Sequence, residues 1–164
     1  HGIIDLLKAA KILENRKIKF LFIGSGELEK KAKYIAGKNC IFVGKKDYTE
    51  IPYYIASCDA GAAPYGVLPR YINKIGFYWT PMKIFEYMAL GLPIVTADYK
   101  ELRTIVKGGI FYKPGSYKDL AKAILKAKTK GIQKNSISRA IKYSWDSQAK
   151  AMEKIIKLVN HGLP

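Results

Sequence analysis

The sequence predicts an α/β protein built on a doubly wound parallel sheet, and two observations lead to that prediction. Short apolar runs alternate along the chain with segments of helical periodicity. The apolar runs are continuous instead of alternating with polar residues, which is typical of parallel strands buried on both faces. Because parallel strands are joined through crossover helices, such a sheet is covered by helices on both faces.

Five strands are predicted, at 18–24 (IKFLFIG), 40–44 (CIFVG), 59–65 (DAGAAPY), 93–98 (PIVTAD) and 109–115 (GIFYKPG). Helical segments precede, separate and follow them, at 3–13, 27–38, 49–58, 80–91, 101–108, 117–129 and 136–160. The last helix carries Met152, Ile155, Ile156 and Val159 along one face and is followed by a glycine. We expect this segment, 136–164, to be a strap that packs on its own domain, with a neighbouring domain as the alternative.

Length and composition predict one folded domain. The chain has 164 residues, of which 49% are apolar, enough for a core of its own. It begins directly in helical periodicity without an initiator Met, which suggests a piece of a longer protein. Cys40 and Cys58 have no metal-ligand spacing, so we expect reduced, structural thiols and a cytoplasmic location.

The net charge of +16, from 29 basic and 13 acidic residues, makes an anionic partner plausible. The lysines are spread over many helix faces instead of lying in one block among aromatics. Solvated faces therefore remain the alternative explanation. A basic nucleic-acid-binding α/β module is the main rival function, and it would show a steep loss of affinity with salt.

Ligands of open parallel sheets bind beyond the carboxyl ends of the strands, so the loops there hold the candidate sites. The first loop contains Gly24, Ser25 and Gly26, and its glycines permit close backbone approach to a ligand. The third glycine of a dinucleotide fingerprint would fall on Glu29. A nicotinamide-binding domain is therefore disfavoured, while a simple tight turn stays an alternative.

The second loop runs from the strand end near Pro64 to Pro81 and is long for a compact domain. It holds five aromatic residues and two cations, Arg70 and Lys74, a composition that argues against disorder. We predict a lid that faces the substrate, in which the two cations reach phosphates or acceptor. A solvated loop is the alternative for these cations.

The third loop leads into a helix that begins "TPMKIFE". Thr80 is a suitable N-cap and Pro81 suits the first helical position, but Lys83 is a cation at the positive end of the helix dipole. That placement is favourable if an anion such as a phosphate binds there. Glu86 lies one turn deeper, where its carboxylate can accept hydrogen bonds from a sugar diol. The alternative is an exposed Lys83–Glu86 pair, which would contribute only about 0.2–0.5 kcal/mol.

The segment "TPMKIFEYMALGLPIVTAD" (80–98) resembles the signature of family 4 glycosyltransferases, which have the GT-B fold. The resemblance continues through "GIIDLLKAAKIL", "FLFIGSGELEKKAK", "CIFVGKKDYTEIPYYIASCDAGAAPY" and "ELRTIVKGGIFYKPGSYKDLAKAI". It implies a Rossmann-like, nucleotide-sugar donor-binding domain, the C-terminal half of a GT-B enzyme. Such enzymes, of the hexosyltransferase type, transfer a sugar to a glycan or lipid-linked acceptor with retention of anomeric configuration, without a cofactor or an essential metal.

The resemblance also assigns residues. It places Glu86 on the ribose hydroxyls and, with Lys83, at the catalytic centre, where positive charge stabilises the departing diphosphate. The donor nucleotide and its phosphates would contact Gly24, Ser25, Gly26, Gly44, Lys45, Thr80, Pro81, Met82, Lys83 and Glu86.

The chain departs from the family pattern in three places. Tyr78 stands where the first glutamate of the family motif is expected, and a lysine that helps hold the diphosphate falls on His1. The first strand of the domain and the N-terminal acceptor domain, its partner in the same polypeptide, are absent from this sequence. We therefore expect residues 1–164 to bind donor without transferring sugar. The excess positive charge further suggests peripheral contact with an anionic membrane at its inner face, and no nucleic acid partner is expected.

Overall fold

The structure, a computed structural model, describes residues 2–68, 77 and 81–160. Its strands are β1 (Phe20–Phe22), β2 (Cys40–Phe42), β3 (Gly61–Ala63), β4 (Ile94–Ala97) and β5 (Ile110–Tyr112). The helices in these residues are α1 (Ile3–Ile12), α2 (Glu29–Ile35), α3 (Ile51–Ala56), α4 (Met82–Ala89), α5 (Lys100–Ile105), α6 (Tyr117–Ala127), α7 (Lys134–Ile141) and α8 (Trp145–Asn160). Every predicted strand is present in the predicted order.

All strand pairs are parallel, which confirms the predicted sheet type. β4 lies between β3 and β5, and β1 pairs with β2. The sequence predicts one continuous sheet, whereas the hydrogen-bonded strands form two, because β1 and β3 do not pair with each other.

Helices cover both faces of the three-stranded sheet. All four residues of β4 are buried, although successive side chains of a strand point to opposite faces. α4 packs on β3 and β4 and contacts α3 and α7, while α6 packs on β4, β5 and α1. The predicted doubly wound arrangement is therefore confirmed.

The small residues of β3 let α4 lie close to the sheet. A Cβ atom added at Gly61 would stand 2.3 Å from the ring of Tyr87, which belongs to α4. A larger residue at this position would collide with the Tyr87 ring and push this part of α4 away from the sheet. The sequence Gly-Ala-Ala in β3 thus helps to position the candidate site.

The carboxyl-terminal segment differs from the prediction. The sequence predicts a single helix at 136–160, whereas the structure has two, α7 and α8. Ser144 lies between them, and its hydroxyl accepts a hydrogen bond from the Ser147 amide at 3.3 Å, as an N-cap does. α7 packs on α4, but α8 has no buried residue. The expectation that the apolar face of α8 packs on its own domain is wrong, since Met152, Ile155, Ile156 and Val159 are all exposed.

Cys40 and Cys58 are free thiols, as predicted; both are of intermediate exposure, and burial raises the pKa of both. Among residues 2–68, 77 and 81–160, no helix combines the length and the apolarity needed to cross a bilayer.

Candidate active site at the carboxyl edge of the sheets

Two glycine-containing loops meet at the carboxyl ends of β1 and β2. The Gly24 amide donates a hydrogen bond of 2.8 Å to the Gly44 carbonyl, so the first loop is joined to the second. Both residues have positive φ, 120° for Gly24 and 71° for Gly44, which favours glycine. A Cβ atom added at either would have no other atom within 4 Å, so the backbone here is open to a ligand. Ser25, Gly26 and Lys45 beside them are exposed.

The helix that carries the predicted phosphate site begins one residue later than predicted. Pro81 has an extended backbone, with ψ of 94°, and is the N-cap of α4 instead of its first residue. Its carbonyl accepts the hydrogen bond from the Ile84 amide at 2.9 Å. Among residues 2–68, 77 and 81–160 no side chain caps this end, and first-turn amides such as those of Met82 and Lys83 are the groups that bind an anion at a helix start.

Lys83 and Glu86 are both partly buried on α4, and burial disfavours the charge of each. Desolvation lowers the pKa of Lys83 and raises the pKa of Glu86, and in each case the other residue only partly offsets the shift. Both groups would regain favourable interactions from a ligand that offers a phosphate to one and hydroxyl donors to the other.

The alternative of an exposed Lys83–Glu86 ion pair does not describe this site. Within the described part of the chain, the ion pairs are Lys33–Glu29 and Arg103–Asp98. The Lys83 ammonium instead lies over the ring of Tyr65, 5.9 Å from its centroid, at the outer limit of a cation–π contact.

Two tyrosines, Tyr112 at the end of β5 and Tyr99 just after β4, fix the first residues of the loop that leaves β3. The Tyr112 hydroxyl accepts a hydrogen bond from the Tyr65 amide and donates one to the Tyr65 carbonyl, both at 3.0 Å. The Tyr99 hydroxyl donates to the Gly66 carbonyl at 2.7 Å and accepts from the Leu68 amide at 3.2 Å. The start of the loop is therefore a fixed part of the site.

Phe77 packs against Tyr65 and Tyr99. It is 5% exposed, and its ring packs edge-on against Tyr65 at 4.8 Å and stacks on Tyr99 at 5.7 Å. We name Tyr65, Phe77, Tyr99 and Tyr112 the aromatic clamp. Sequence reasoning did not single out Tyr99 and Tyr112, although each lies at or just after the carboxyl end of a strand, where site residues are expected.

The described site residues fall into two groups. Gly24, Ser25, Gly26, Gly44 and Lys45 lie in the joined loops, and Pro81, Met82, Lys83 and Glu86 lie at the start of α4. The predictions for His1, Arg70, Lys74, Tyr78 and Thr80 fall outside the described residues, and with them most of the predicted lid.

A cavity in the described part of the chain lies away from this site. It has a volume of about 660 Å³ and lies between β1 and β3, with a largely apolar lining. A ligand at the carboxyl edge would instead contact backbone amides, Lys83 and Glu86. Within the described residues, no three His, Cys, Asp or Glu side chains are grouped to hold a metal ion.

This edge combines exposed glycine backbone, an uncapped helix start and a half-buried lysine, a set of groups suited to a phosphorylated ligand. The parallel α/β fold around it is that of a Rossmann-like half of a GT-B protein. Residues 1–129 match the family described as glycosyl transferases group 1, and the chain belongs to that family.

Two similar proteins support the assignment. The chain is 39% identical over 57 residues to TuaH of Bacillus subtilis (strain 168), a protein provisionally named a teichuronic acid biosynthesis glycosyltransferase; the match covers 35% of this chain and 13% of TuaH. The fold of the chain is similar to that of sucrose-phosphate synthase (tll1590) from Thermosynechococcus elongatus, with a TM-score of 0.72 and 20% identity. This match covers 98% of the chain and 42% of the synthase, so the chain spans less than half of that enzyme.

Proposed function

We propose that the chain is the C-terminal, donor-binding half of a retaining family 4 glycosyltransferase. The carboxyl edge binds the nucleoside diphosphate of a nucleotide-sugar donor. The observation that carries this proposal is the pair formed by Lys83 and Glu86, both partly buried and neither ion-paired within the described residues, at the uncapped start of α4.

Each residue has a distinct role in the proposal. The distal phosphate lies at the start of α4, where the first-turn amides, the helix dipole and the Lys83 ammonium all favour negative charge. The Glu86 carboxylate accepts hydrogen bonds from the ribose hydroxyls. The Gly24–Gly26 loop and the Gly44-Lys45 segment lie along the nucleotide, where their open backbone allows close approach.

In the reaction, the bond between the anomeric carbon and the diphosphate breaks as negative charge develops on the leaving group. Lys83 and the α4 amides stabilise that charge from fixed positions, which lowers the barrier without a reorganisation of solvent. Retention requires the acceptor to attack from the face that the diphosphate leaves. The groups proposed to stabilise the leaving group belong to the chain itself, so the proposed mechanism includes no metal or cofactor.

The acceptor is a glycan or a lipid-linked glycan, bound by an N-terminal domain of the same polypeptide, and this chain alone transfers no sugar. The naming of TuaH for teichuronic acid biosynthesis supports a glycan acceptor. The net charge of +16 supports a location of the enzyme in the cytoplasm, in contact with the inner face of an anionic membrane. Binding to acidic vesicles at low salt tests this location, and failure of the full-length enzyme to bind them contradicts it.

Calorimetric titration of the chain with UDP, GDP, ADP and NAD tests donor binding. We expect one nucleoside diphosphate to bind, and Lys83→Ala or Glu86→Ala to weaken it by about 1–3 kcal/mol, roughly 5-fold to 150-fold in Kd. Lys118→Ala is the matched control, because Lys118 is likewise the second residue of a helix, α6, but is exposed. Equal losses for the Lys83 and Lys118 variants would show that the effect is only one of net charge.

The nucleic-acid alternative predicts a different result. If none of the four nucleotides binds while a non-specific oligonucleotide does, with affinity that falls steeply with salt, the donor-site proposal is wrong. For the full-length enzyme, the anomeric configuration of the product, read by NMR, tests retention. Addition of a chelator to the full-length enzyme tests whether the reaction proceeds without a metal ion. Loss of activity would contradict the metal-independent mechanism.

A further inference from the structure

The ammonium of Lys83 lies at the start of α4, where its surroundings disfavour a positive charge. The ion pairs found among residues 2–68, 77 and 81–160 do not include it. The side chain is partly buried, and burial lowers the pKa of its ammonium. The helix dipole also disfavours a cation at this end of α4. The ammonium lies over the ring of Tyr65, 5.9 Å from the ring centroid.

A ring and a carboxylate hold a lysine in different ways. On α2, the Glu29 carboxylate lies 2.7 Å from the Lys33 ammonium and balances its charge. The face of an aromatic ring carries only partial negative charge, so it attracts an ammonium without neutralising it. A lysine held by a ring therefore keeps its charge for another anion. Tyr65 gives Lys83 support of this second kind.

Tyr65 is itself fixed in place. It lies two residues beyond β3 and is 3% exposed. The Tyr112 hydroxyl accepts a hydrogen bond from its amide and donates one to its carbonyl, both at 3.0 Å. The Phe77 ring packs edge-on against it, with the ring centroids 4.8 Å apart. Because Tyr112 is the last residue of β5, Tyr65 is tied to two strands of the same sheet.

A fixed ring restricts the positions that the Lys83 ammonium can take. A free lysine side chain samples many rotamers, and the loss of that freedom on binding reduces affinity. A side chain that already has its place in the free protein loses less. Lys83 is the second residue of α4, so an ammonium kept near the ring also stays near the first-turn amides.

We propose that Tyr65 is a positioning residue for the donor site. Its ring holds the Lys83 ammonium where the distal phosphate of a nucleoside diphosphate binds, and it leaves the charge of the ammonium available to that phosphate. Tyr65 acts through Lys83 and takes no part in the reaction itself. This inference rests on the proposed function, because it requires a phosphate at the start of α4.

Calorimetric titration with paired nucleotides tests the proposal. The 164-residue chain is titrated with UDP, GDP and ADP, and the monophosphate of the base that binds is measured by displacement of the diphosphate. The monophosphate lacks the distal phosphate, so a comparison of the two Kd values reports on the start of α4. Tyr65→Leu should raise the diphosphate Kd by about 3-fold to 30-fold, the range expected for a partly desolvated cation–π contact. The monophosphate Kd should change by less than about 2-fold.

Two further variants separate the ring from other effects. Tyr65→Phe keeps the ring, so its diphosphate Kd should stay within about 2-fold of the wild-type value. Tyr117→Leu is the matched control, because the Lys8 ammonium lies 5.4 Å from the Tyr117 ring centroid and neither residue belongs to the candidate site. This control should leave both Kd values unchanged. Each titration is made at a temperature at which circular dichroism shows the variant to be folded.

A double-mutant cycle tests whether Tyr65 acts through Lys83. If it does, Tyr65→Leu should change the diphosphate Kd by less than about 2-fold in a chain that already carries Lys83→Ala. If the two residues act independently, their separate losses in affinity should multiply.

A measurement on the unmodified chain makes the test independent of whether Tyr65→Leu folds. Protons above an aromatic ring are shielded by its ring current. The NMR signals of the Lys83 ε-methylene group should therefore lie upfield of those of Lys118, which is exposed. Coincident signals would mean that the ring does not hold Lys83, and they would overturn the proposal.

Three results of the titrations would also overturn it: an unchanged diphosphate Kd in Tyr65→Leu, equal losses of diphosphate and monophosphate affinity, or losses that multiply in the double variant. If Lys83→Ala weakens diphosphate binding and Tyr65→Leu does not, the donor site stands and only the positioning role is wrong. If the wild-type chain binds no nucleoside diphosphate, the proposed function fails and the positioning role fails with it.

Discussion

Tyr112→Phe removes one oxygen atom and with it two hydrogen bonds that fix the loop after β3. The Tyr112 hydroxyl bonds the amide and the carbonyl of Tyr65, each at 3.0 Å, and Tyr112 is 1% exposed. A hydrogen bond of this kind contributes about 1 kcal/mol, and desolvated groups that lose a partner add to the loss, so the variant should lose roughly 2–3 kcal/mol. For a chain of this size, that corresponds to a fall in Tm of about 4–12 °C.

Thermal unfolding followed by circular dichroism measures this change. Tyr34→Phe is the matched control, because Tyr34 is 90% exposed and should leave Tm unchanged. Since the Tyr65 ring lies under Lys83, the Tyr112 variant should also weaken nucleotide binding at a temperature where it is still folded. A Tm for Tyr112→Phe within about 1 °C of the Tyr34→Phe value would refute the reasoning, since the hydroxyl would then not anchor the loop.

Three further changes test other parts of the structure. Gly61→Ala should destabilise the chain by about 1–3 kcal/mol in urea unfolding, because the added Cβ atom would collide with Tyr87. Gly26→Ala is the control and should leave the stability unchanged, because Gly26 lies in open space. Equal stabilities of the two variants would contradict the close packing of Gly61 against Tyr87. Ser116→Ala should cost about 1 kcal/mol through loss of the α6 N-cap, and a neutral result would show that the cap is dispensable. Because burial raises the pKa of Glu86 above its ordinary value of 4.5, the charge of this carboxylate lowers the stability of the folded chain at pH 7. Glu86→Gln should therefore be more stable than wild type at pH 7, and this gain should shrink as the pH falls towards 4.5. A gain that does not change with pH would contradict the reasoning.

The order and type of the strands could be predicted from the sequence because burial on both faces leaves a direct record in it. The run at 93–98 is apolar almost throughout, and all four residues of β4 are buried. The division of the last helix was not predicted, since Ser144 is compatible with a helix interior and acts as a cap only through its contact with Ser147. The separation of β1 from β3 was also missed, because strand order depends on contacts between distant segments.

At the candidate site, what could be predicted was local. Lys83 drew notice because it lies at the wrong end of a helix dipole, a property visible within one turn of sequence. The aromatic clamp was not predicted, because the contact between Tyr112 and Tyr65 joins residues 47 positions apart. The sequence showed that aromatic residues are frequent after β3, but not which of them contact Tyr99 and Tyr112.

The cost of the Lys83–Glu86 arrangement is itself an argument for function. On α2, Glu29 precedes Lys33 by four residues and the two form an exposed ion pair at 2.7 Å, which is the order and spacing that stabilise a helix. On α4 the lysine comes first, the spacing is three, and burial works against the charge of both groups. Two apolar residues would suit the fold better. A protein that retains both charges in this position gives up stability, and a bound ligand with a phosphate and a diol is what would restore it.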